Sequence, residues 1–311
     1  MTNKEFQEHY PRATAILGHD WLAQANSWPA PDSHQAEALD WYKHWFDRLE
    51  ADLSVIETLV GHRDTSNAYR QILRVPSKLL DCCYEVHGTA LLASVADKLR
   101  LHVARGDGSG KDFDVQANIQ GHLINGECKV RDDDIIKPRF MTKTPNGLTV
   151  YSRTRATMDP HDMPDQQDRH AHDPTYEPTP ESTVIRQRIL DALEQLPKQG
   201  INIVVWGHKQ GNRSDLERAL YGAEVCLLDR DHVTKEVKSK WVRAGSGAFL
   251  ADESGDQFRA LNAILWIRLT SLGESLQKAY KLYVNPSATT QFPEKVRGTL
   301  EQQFRNWSDE A

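Results

Sequence analysis

The chain has little cysteine: four in 311 residues, Cys82, Cys83, Cys128 and Cys226, with no CxxC pair and no metal-ligand spacing. That excludes a disulfide-stapled scaffold and a cysteine zinc site. Cys82 and Cys83 fall within an apolar helix pattern and Cys128 within a strand pattern, as buried reduced thiols do. No apolar run approaches the ~18 residues of a membrane span. The opening, MTNKEFQEHYPRAT, lacks the apolar stretch of a secretory signal, so a cytoplasmic location and no membrane partner are expected. Internal repeats are absent. Positive charge is also short, 38 Lys+Arg against 44 Asp+Glu, and a net −6 argues at face value against a polyanionic partner.

The charge is not evenly spread. Residues 1–65 hold five basic and eleven acidic side chains, and residues 157–183 hold one and seven, with five prolines. The remainder carries 32 basic and 26 acidic residues, so two acidic segments conceal a basic core. The first segment reads as an acidic helical N-terminal region, with Leu39, Tyr42, Trp45, Phe46, Leu49, Leu53, Ile56 and Leu59 at spacings of three and four. The second reads as an acidic, Pro-rich loop. Before it, residues 135–156 carry a hairpin signal around Pro145-Asn146-Gly147, with Lys137, Arg139, Lys143, Arg153 and Arg155 and no acid.

The pattern predicts a helix over 77–99 capped by Ser77, strands at 101–104, 113–119 and 122–130, a helix over 184–196 and a buried strand at 201–206. Further on it predicts a helix at 214–221 capped by Ser214, strands at 223–228, 263–269 and 279–284, and a terminal helix at 294–307. The glycine-rich Gly106–Gly110 turn followed by Lys111 is not a phosphate loop. Arg105 stands where that motif needs Gly, and Asp112 where it needs Ser or Thr.

Residues 111–130 are the most informative. Phe113, Val115, Ala117 and Ile119 alternate with Asp114, Gln116 and Asn118, and after Gln120-Gly121 the alternation resumes. A two-residue turn there pairs Ile119 with His122. The same register sets Asp114 opposite Glu127 and Asp112 opposite Lys129, on one polar face. Two carboxylates opposed on a sheet repel, and Asp is a poor strand former. A hard divalent ion turns that repulsion into coordination, and a neighbouring ammonium can orient water or stabilise charge on a phosphorane. A solvated polar face with a cross-strand charge pair is the plain alternative on spacing alone.

The element order, with Asp114 on the second strand and Glu127-Cys128-Lys129 on the third, resembles the PD-(D/E)XK superfamily of restriction-endonuclease-like nucleases. The resemblance covers roughly residues 77–206. No Pro precedes Asp114, where Phe113 stands, and about fifty residues are inserted after the Glu-x-Lys strand. It implies an α/β fold with an α-β-β-β-α-β core, a mixed sheet flanked by helices, over residues 66–311, with the hairpin 135–156 and the loop 157–183 inserted. It also implies metal-dependent hydrolysis of nucleic-acid phosphodiester bonds, DNA before RNA and endonucleolytic. Asp114 and Glu127 would be metal ligands, joined by Glu85 from Cys83-Tyr-Glu-Val-His87 and by the Cys128 backbone carbonyl. Lys129 would be the catalytic lysine and Mg²⁺ the cofactor, with Mn²⁺ as a substitute. Lys137, Arg139, Lys143, Arg153 and Arg155 would track the phosphate backbone, and a homodimer is compatible with the reading. The alternative is a catalytically inactive module on the same fold that binds nucleic acid or a protein partner.

Overall fold

The computed structural model describes residues 3–18, 38–73, 79–131, 142–143, 149–150, 180–208, 213–230, 237–244, 247–251, 255–272 and 275–308. Two compact units emerge. The first joins residues 1–132, 191–210 and 260–311, and the second joins 133–190 and 211–259.

The first unit is a mixed α/β structure built on a six-stranded sheet. In chain order it contains α1 (Asn3–His9), α2 (Pro11–Leu17), α3 (Ala38–Val60), α4 (His62–Leu73), α5 (Leu79–Ala93), β1 (Lys98–Ala104), β2 (Asp112–Ile119) and β3 (His122–Arg131). After β4 (Thr142–Lys143), β5 (Thr149–Val150) and α6 (Pro180–Leu193), the chain supplies β6 (Ile201–His208) to that sheet. It then forms α7 (Arg213–Tyr221), β7 (Ala223–Arg230), β8 (Val237–Ala244), β9 (Ala263–Leu272), β10 (Ser275–Val284) and α8 (Glu294–Trp307). The sheet order is β1-β2-β3-β6-β9-β10. The outer pairs are antiparallel, and β3, β6 and β9 run parallel. Every residue of β6 is buried, as its unbroken apolar run and central place require.

Helix α5 lies against one sheet face at close range. A Cβ on Gly88 would stand 2.4 Å from Val205 Cγ1, and one on Gly126 2.7 Å from Val115 Cγ1. Beside them Tyr84 donates from its hydroxyl to the carbonyls of His208 at 2.9 Å and Leu269 at 3.1 Å. Helix α3 buries Trp45, Phe46, Leu49, Leu53 and Ile56 in the same core. A buried polar chain reinforces this junction. Asp52 Oδ2 meets His87 Nδ1 at 2.7 Å, and His87 Nε2 meets the Tyr280 hydroxyl at 2.8 Å.

At one end of the sheet a series of amides crosses the strands. Gln116 Nε2 donates to Asn125 Oδ1 at 2.9 Å, and Asn125 Nδ2 to Asn202 Oδ1 at 3.1 Å. The Asn202 N–H then donates to Asn262 Oδ1 at 2.7 Å. Each buried amide is satisfied by the next, so the series fixes strand register without a desolvation penalty.

In the second unit β7 and β8 form an antiparallel pair, and β4 and β5 pair Thr142 with Val150 and Lys143 with Thr149, while the expected Pro145-Asn146-Gly147 turn lies outside the described residues. The β7–β8 register sets Asp229 opposite Lys238 and Glu224 opposite Arg243.

Several expected boundaries are corrected. The helix predicted over 77–99 ends at Ala93, because Asp97 N–H pairs with the Asn118 carbonyl at 2.8 Å and β1 begins at Lys98. Val95 packs on the core from the intervening turn, which is why the apolar spacing ran on. Helix α6 begins at Pro180 rather than residue 184, since a proline at the first helical position sacrifices no hydrogen bond. Residues 180–183 are thus helix and not part of the acidic loop, the rest of which lies outside the described residues. Ser214 sits inside α7, not at its cap. Among the described residues no helix is long and apolar enough to cross a membrane.

The close approach of α5 makes a test. Gly88→Ala should gain about 1 kcal/mol in helix propensity and lose about 1–3 kcal/mol to overpacking against Val205. The expected result is a net loss of stability, read as a lower melting temperature. A melting temperature at or above wild type would contradict the packing described.

Candidate functional site

The β2–β3 hairpin turns at Gln120 and Gly121, whose φ values are +55° and +79°. Two positive φ values are what a type I′ turn requires, and the turn sets the register. Ile119 faces His122, and the ladder continues through Val115 opposite Gly126, the register predicted from the sequence. Val115, Ala117 and Ile119 are buried in the core that α5 shares, with Ile124 and the partly buried Cys128 beside them, and Phe113 is buried as well. The alternate positions Gln116, Asn125, Glu127 and Lys129 belong to the other face, whereas Asp114 reaches Glu85 of α5.

The ladder pairs stop at Val115–Gly126. In continued register the next bond would join Cys128 N–H to the Phe113 carbonyl. Instead Cys128 N–H donates to Asp114 Oδ2 at 2.6 Å. The carboxylate has taken the place of a backbone acceptor, and the two strands part at this point. The expected pairing of Asp112 with Lys129 is not among the ladder pairs for that reason. Asp112 is exposed at the start of β2, and Lys129 Nζ lies 2.6 Å from Glu127 Oε1. Because the N–H and C=O of one strand residue point the same way, the Cys128 carbonyl also faces β2. Burial pushes its thiol well up.

Strand β1 is distorted at the same level. It pairs Leu101 with Val115 and Val103 with Phe113, so His102 is the residue across from Asp114. The φ of His102 is +44°, a left-handed conformation uncommon for a residue with a side chain. The Tyr69 ring of α4 meets the imidazole edge-on at 6.0 Å. The result is a cluster in which ligand atoms of Glu85, His102 and Asp114 all lie within 4.8 Å of one another. Glu85 Oε1 and His102 Nε2 are both shielded from solvent and have no hydrogen-bond partner. A buried polar atom without a partner carries a desolvation cost that ligation would remove.

The second half of the site lies on the opposite face. Glu127 is buried, 2% exposed, and paired with the partly exposed Lys129. The Gln195 amide, oriented with its nitrogen toward the carboxylate, donates to Glu127 and accepts from Lys129 Nζ at 3.2 Å. Asp114 interacts with both halves. Glu85 is raised well above the usual carboxyl range by burial, then by Asp114 and Glu127, with Lys129 opposing. Burial and Asp114 lift Glu127 to about 8 against the pull of Lys129. Asp114 is raised by burial, opposed by Cys128 N–H, Lys129 and His102. Three carboxyl groups with elevated affinity for a proton form a donor set suited to a cation.

The four side chains singled out from the sequence, Glu85, Asp114, Glu127 and Lys129, thus fall in one interacting group. The structure adds His102 and Gln195. Register arithmetic across the Gly106–Gly110 turn would have set His102 opposite Asp114, but no sequence signal marks Gln195. Lys143 lies on β4, while Lys137, Arg139, Arg153 and Arg155 lie outside the described residues. A cleft of about 730 Å³ opens beside the cluster, lined by Leu59, Asp64 and Asn67 from the N-terminal helices and by Arg100, His102 and Asp112. Comparison of the chain with protein-family models, curated proteins and solved structures produced no match.

The raised carboxyls fix the sign of a pH dependence. Folded Glu127 retains its proton up to about 8, whereas the unfolded chain releases it near 4.5. Stability from this group is therefore full below about 4.5 and is lost as pH rises through about 8. Chelator-treated protein should lose stability on the order of a few kcal/mol across that window, and Glu127→Gln should flatten the loss. Melting temperatures from pH 4.5 to 8.5 check this. A wild-type profile as flat as that of the variant would contradict the electrostatics described.

Proposed function

We propose that this chain is a metal-dependent nuclease of the PD-(D/E)XK kind, with the restriction-endonuclease-like topology, hydrolysing phosphodiester bonds of DNA endonucleolytically. One observation carries the reading. Asp114, held by the Cys128 amide where β2 and β3 part, stands between Glu85 of α5 and the Glu127–Lys129 pair and acts on both neighbouring carboxyls. The order α5-β1-β2-β3-α6-β6 supports it, since Asp114 stands on the second strand and Glu127-x-Lys129 on the third.

The residues present suit a divalent cation, because Glu85 Oε1 is unpartnered and the carboxyl groups are raised. Asp114 and Glu85 would hold it, with the Cys128 carbonyl on the same side. Such an ion, Mg²⁺ or Mn²⁺, supplies Lewis-acid polarisation of a phosphate oxygen and a more acidic water. The chain's own contribution is positional. Glu127 and Gln195 fix the Lys129 ammonium from two directions, so its charge is aimed before the phosphorane forms and costs no reorganisation when it does. Asp114 is itself oriented by the Cys128 amide, so the carboxylate shared by both halves has little freedom.

The test is a cleavage assay on single-stranded, duplex and branched DNA and on RNA, with and without Mg²⁺ or Mn²⁺. Cation-dependent cleavage of DNA is expected, and Lys129→Ala should reduce it by at least about 10² while melting temperature and cation affinity change little. Cleavage by Lys129→Ala at the wild-type rate would remove the lysine from the mechanism. Binding of DNA without cleavage under any cation would favour the inactive module instead.

A further inference from the structure

The donor set at the parting of β2 and β3 is not all oxygen. We propose that Glu85, His102 and Asp114 bind a first-row transition dication through one imidazole nitrogen and two carboxylates, in preference to Mg²⁺. The inference deepens the nuclease reading and rests on its assignment of Glu85 and Asp114 as ligands.

Three features of the chain converge on His102. Its ligand atom lies within 4.8 Å of those of both carboxylates, the spacing of groups that share one ion. Its Nε2 is buried without a hydrogen-bond partner, as is Glu85 Oε1, so two of the three groups turn unsatisfied atoms inward. Its backbone holds φ +44° within a strand whose neighbours Leu101 and Val103 keep regular pairing. Left-handed conformations in non-glycine residues persist where the surroundings enforce them and cluster at functional sites. Here the surroundings are the Tyr69 ring and the two flanking ladder pairs.

Ligand chemistry then selects the ion. Mg²⁺ takes oxygen ligands in near-ideal octahedral geometry and keeps several waters. Imidazole nitrogen suits transition dications, whose affinity for mixed nitrogen and oxygen sites exceeds that of Mg²⁺. His102 also lines the adjoining cleft, beside Asp112.

Mn²⁺ is the probe, added to chelator-treated full-length protein. Calorimetry should give an Mn²⁺ affinity at least tenfold above that for Mg²⁺, and pulsed electron paramagnetic resonance of the Mn²⁺ complex should show ¹⁴N modulation. His102→Asn keeps a residue that tolerates positive φ and removes the imidazole. It should abolish the modulation and lower Mn²⁺ affinity at least tenfold, while Mg²⁺ affinity changes less than threefold. His102→Gly should do the same and raise the metal-free melting temperature by relieving the backbone. Absence of ¹⁴N modulation in wild type, its persistence in His102→Asn, or equal loss of both ions would overturn the proposal. Nucleic-acid cleavage without ¹⁴N coupling would overturn it and leave the nuclease reading intact. Coupling in a protein that cleaves nothing would uphold it and count against that reading alone.

Discussion

The hydrogen bond from the Cys128 amide to the Asp114 carboxylate is the interaction on which the candidate site depends. A strand residue ordinarily has its amide satisfied by a backbone carbonyl across the ladder. Once a side chain supplies the acceptor, the ladder has no reason to continue, and β2 and β3 diverge beyond Val115 and Gly126. The divergence brings Asp114 into reach of Glu85, which belongs to the helix on one face of the sheet, and of Glu127, which stands on the other. The carboxylate is held in place by an amide whose own need for an acceptor it meets, so neither group is left unsatisfied.

The rest of the first unit can be understood as holding that point still. Next along the hairpin from the site, the chain of Gln116, Asn125, Asn202 and Asn262 locks neighbouring strands in register. A one-residue slip would exchange the faces of every side chain, including Glu127 and Lys129. Gly88 lets α5 approach the sheet closely, since a Cβ there would stand 2.4 Å from Val205 Cγ1, and Glu85 of that helix enters the site. The N-terminal helices contribute directly, since Tyr69 of α4 meets His102 and Leu59, Asp64 and Asn67 wall the adjoining cleft. The buried contacts among Asp52, His87 and Tyr280 join α3, α5 and β10. The end of the acidic N-terminal region, Leu59 and Asp64, is therefore part of the wall of that cleft.

What could be read from residues alone follows from periodicity. The strict alternation over Phe113–Ile119 and the two-residue turn fixed the β2–β3 register, because a period of two and a turn of known length leave one pairing. The long amphipathic stretch ending at Val60 and the terminal helix Glu294–Trp307 were equally legible. The site was legible only as far as that alternation ran. Asp114 was expected directly opposite Glu127, whereas it turns to a backbone amide, a choice governed by side-chain geometry that spacing does not encode. His102 lay hidden inside the short apolar run Leu101-His102-Val103-Ala104, and its strained backbone depends on contacts from α4 and β2. Gln195 falls within the helix predicted over 184–196, but the helix ends at Leu193 and Gln195 sits in the turn that follows. The helix predicted to run on to residue 99 failed for a similar reason, since Val95 packs into the core from a turn and mimics a helical position.

The central claim is that Asp114 is the carboxylate shared between a cation cluster and the Glu127–Lys129 pair. Anomalous diffraction from crystals of the protein loaded with Mn²⁺ tests it most directly. The account predicts an anomalous peak at direct-ligation distance from Asp114, with Lys129 Nζ still paired to Glu127. A peak elsewhere, with Asp114 contributing no ligand atom, would contradict it.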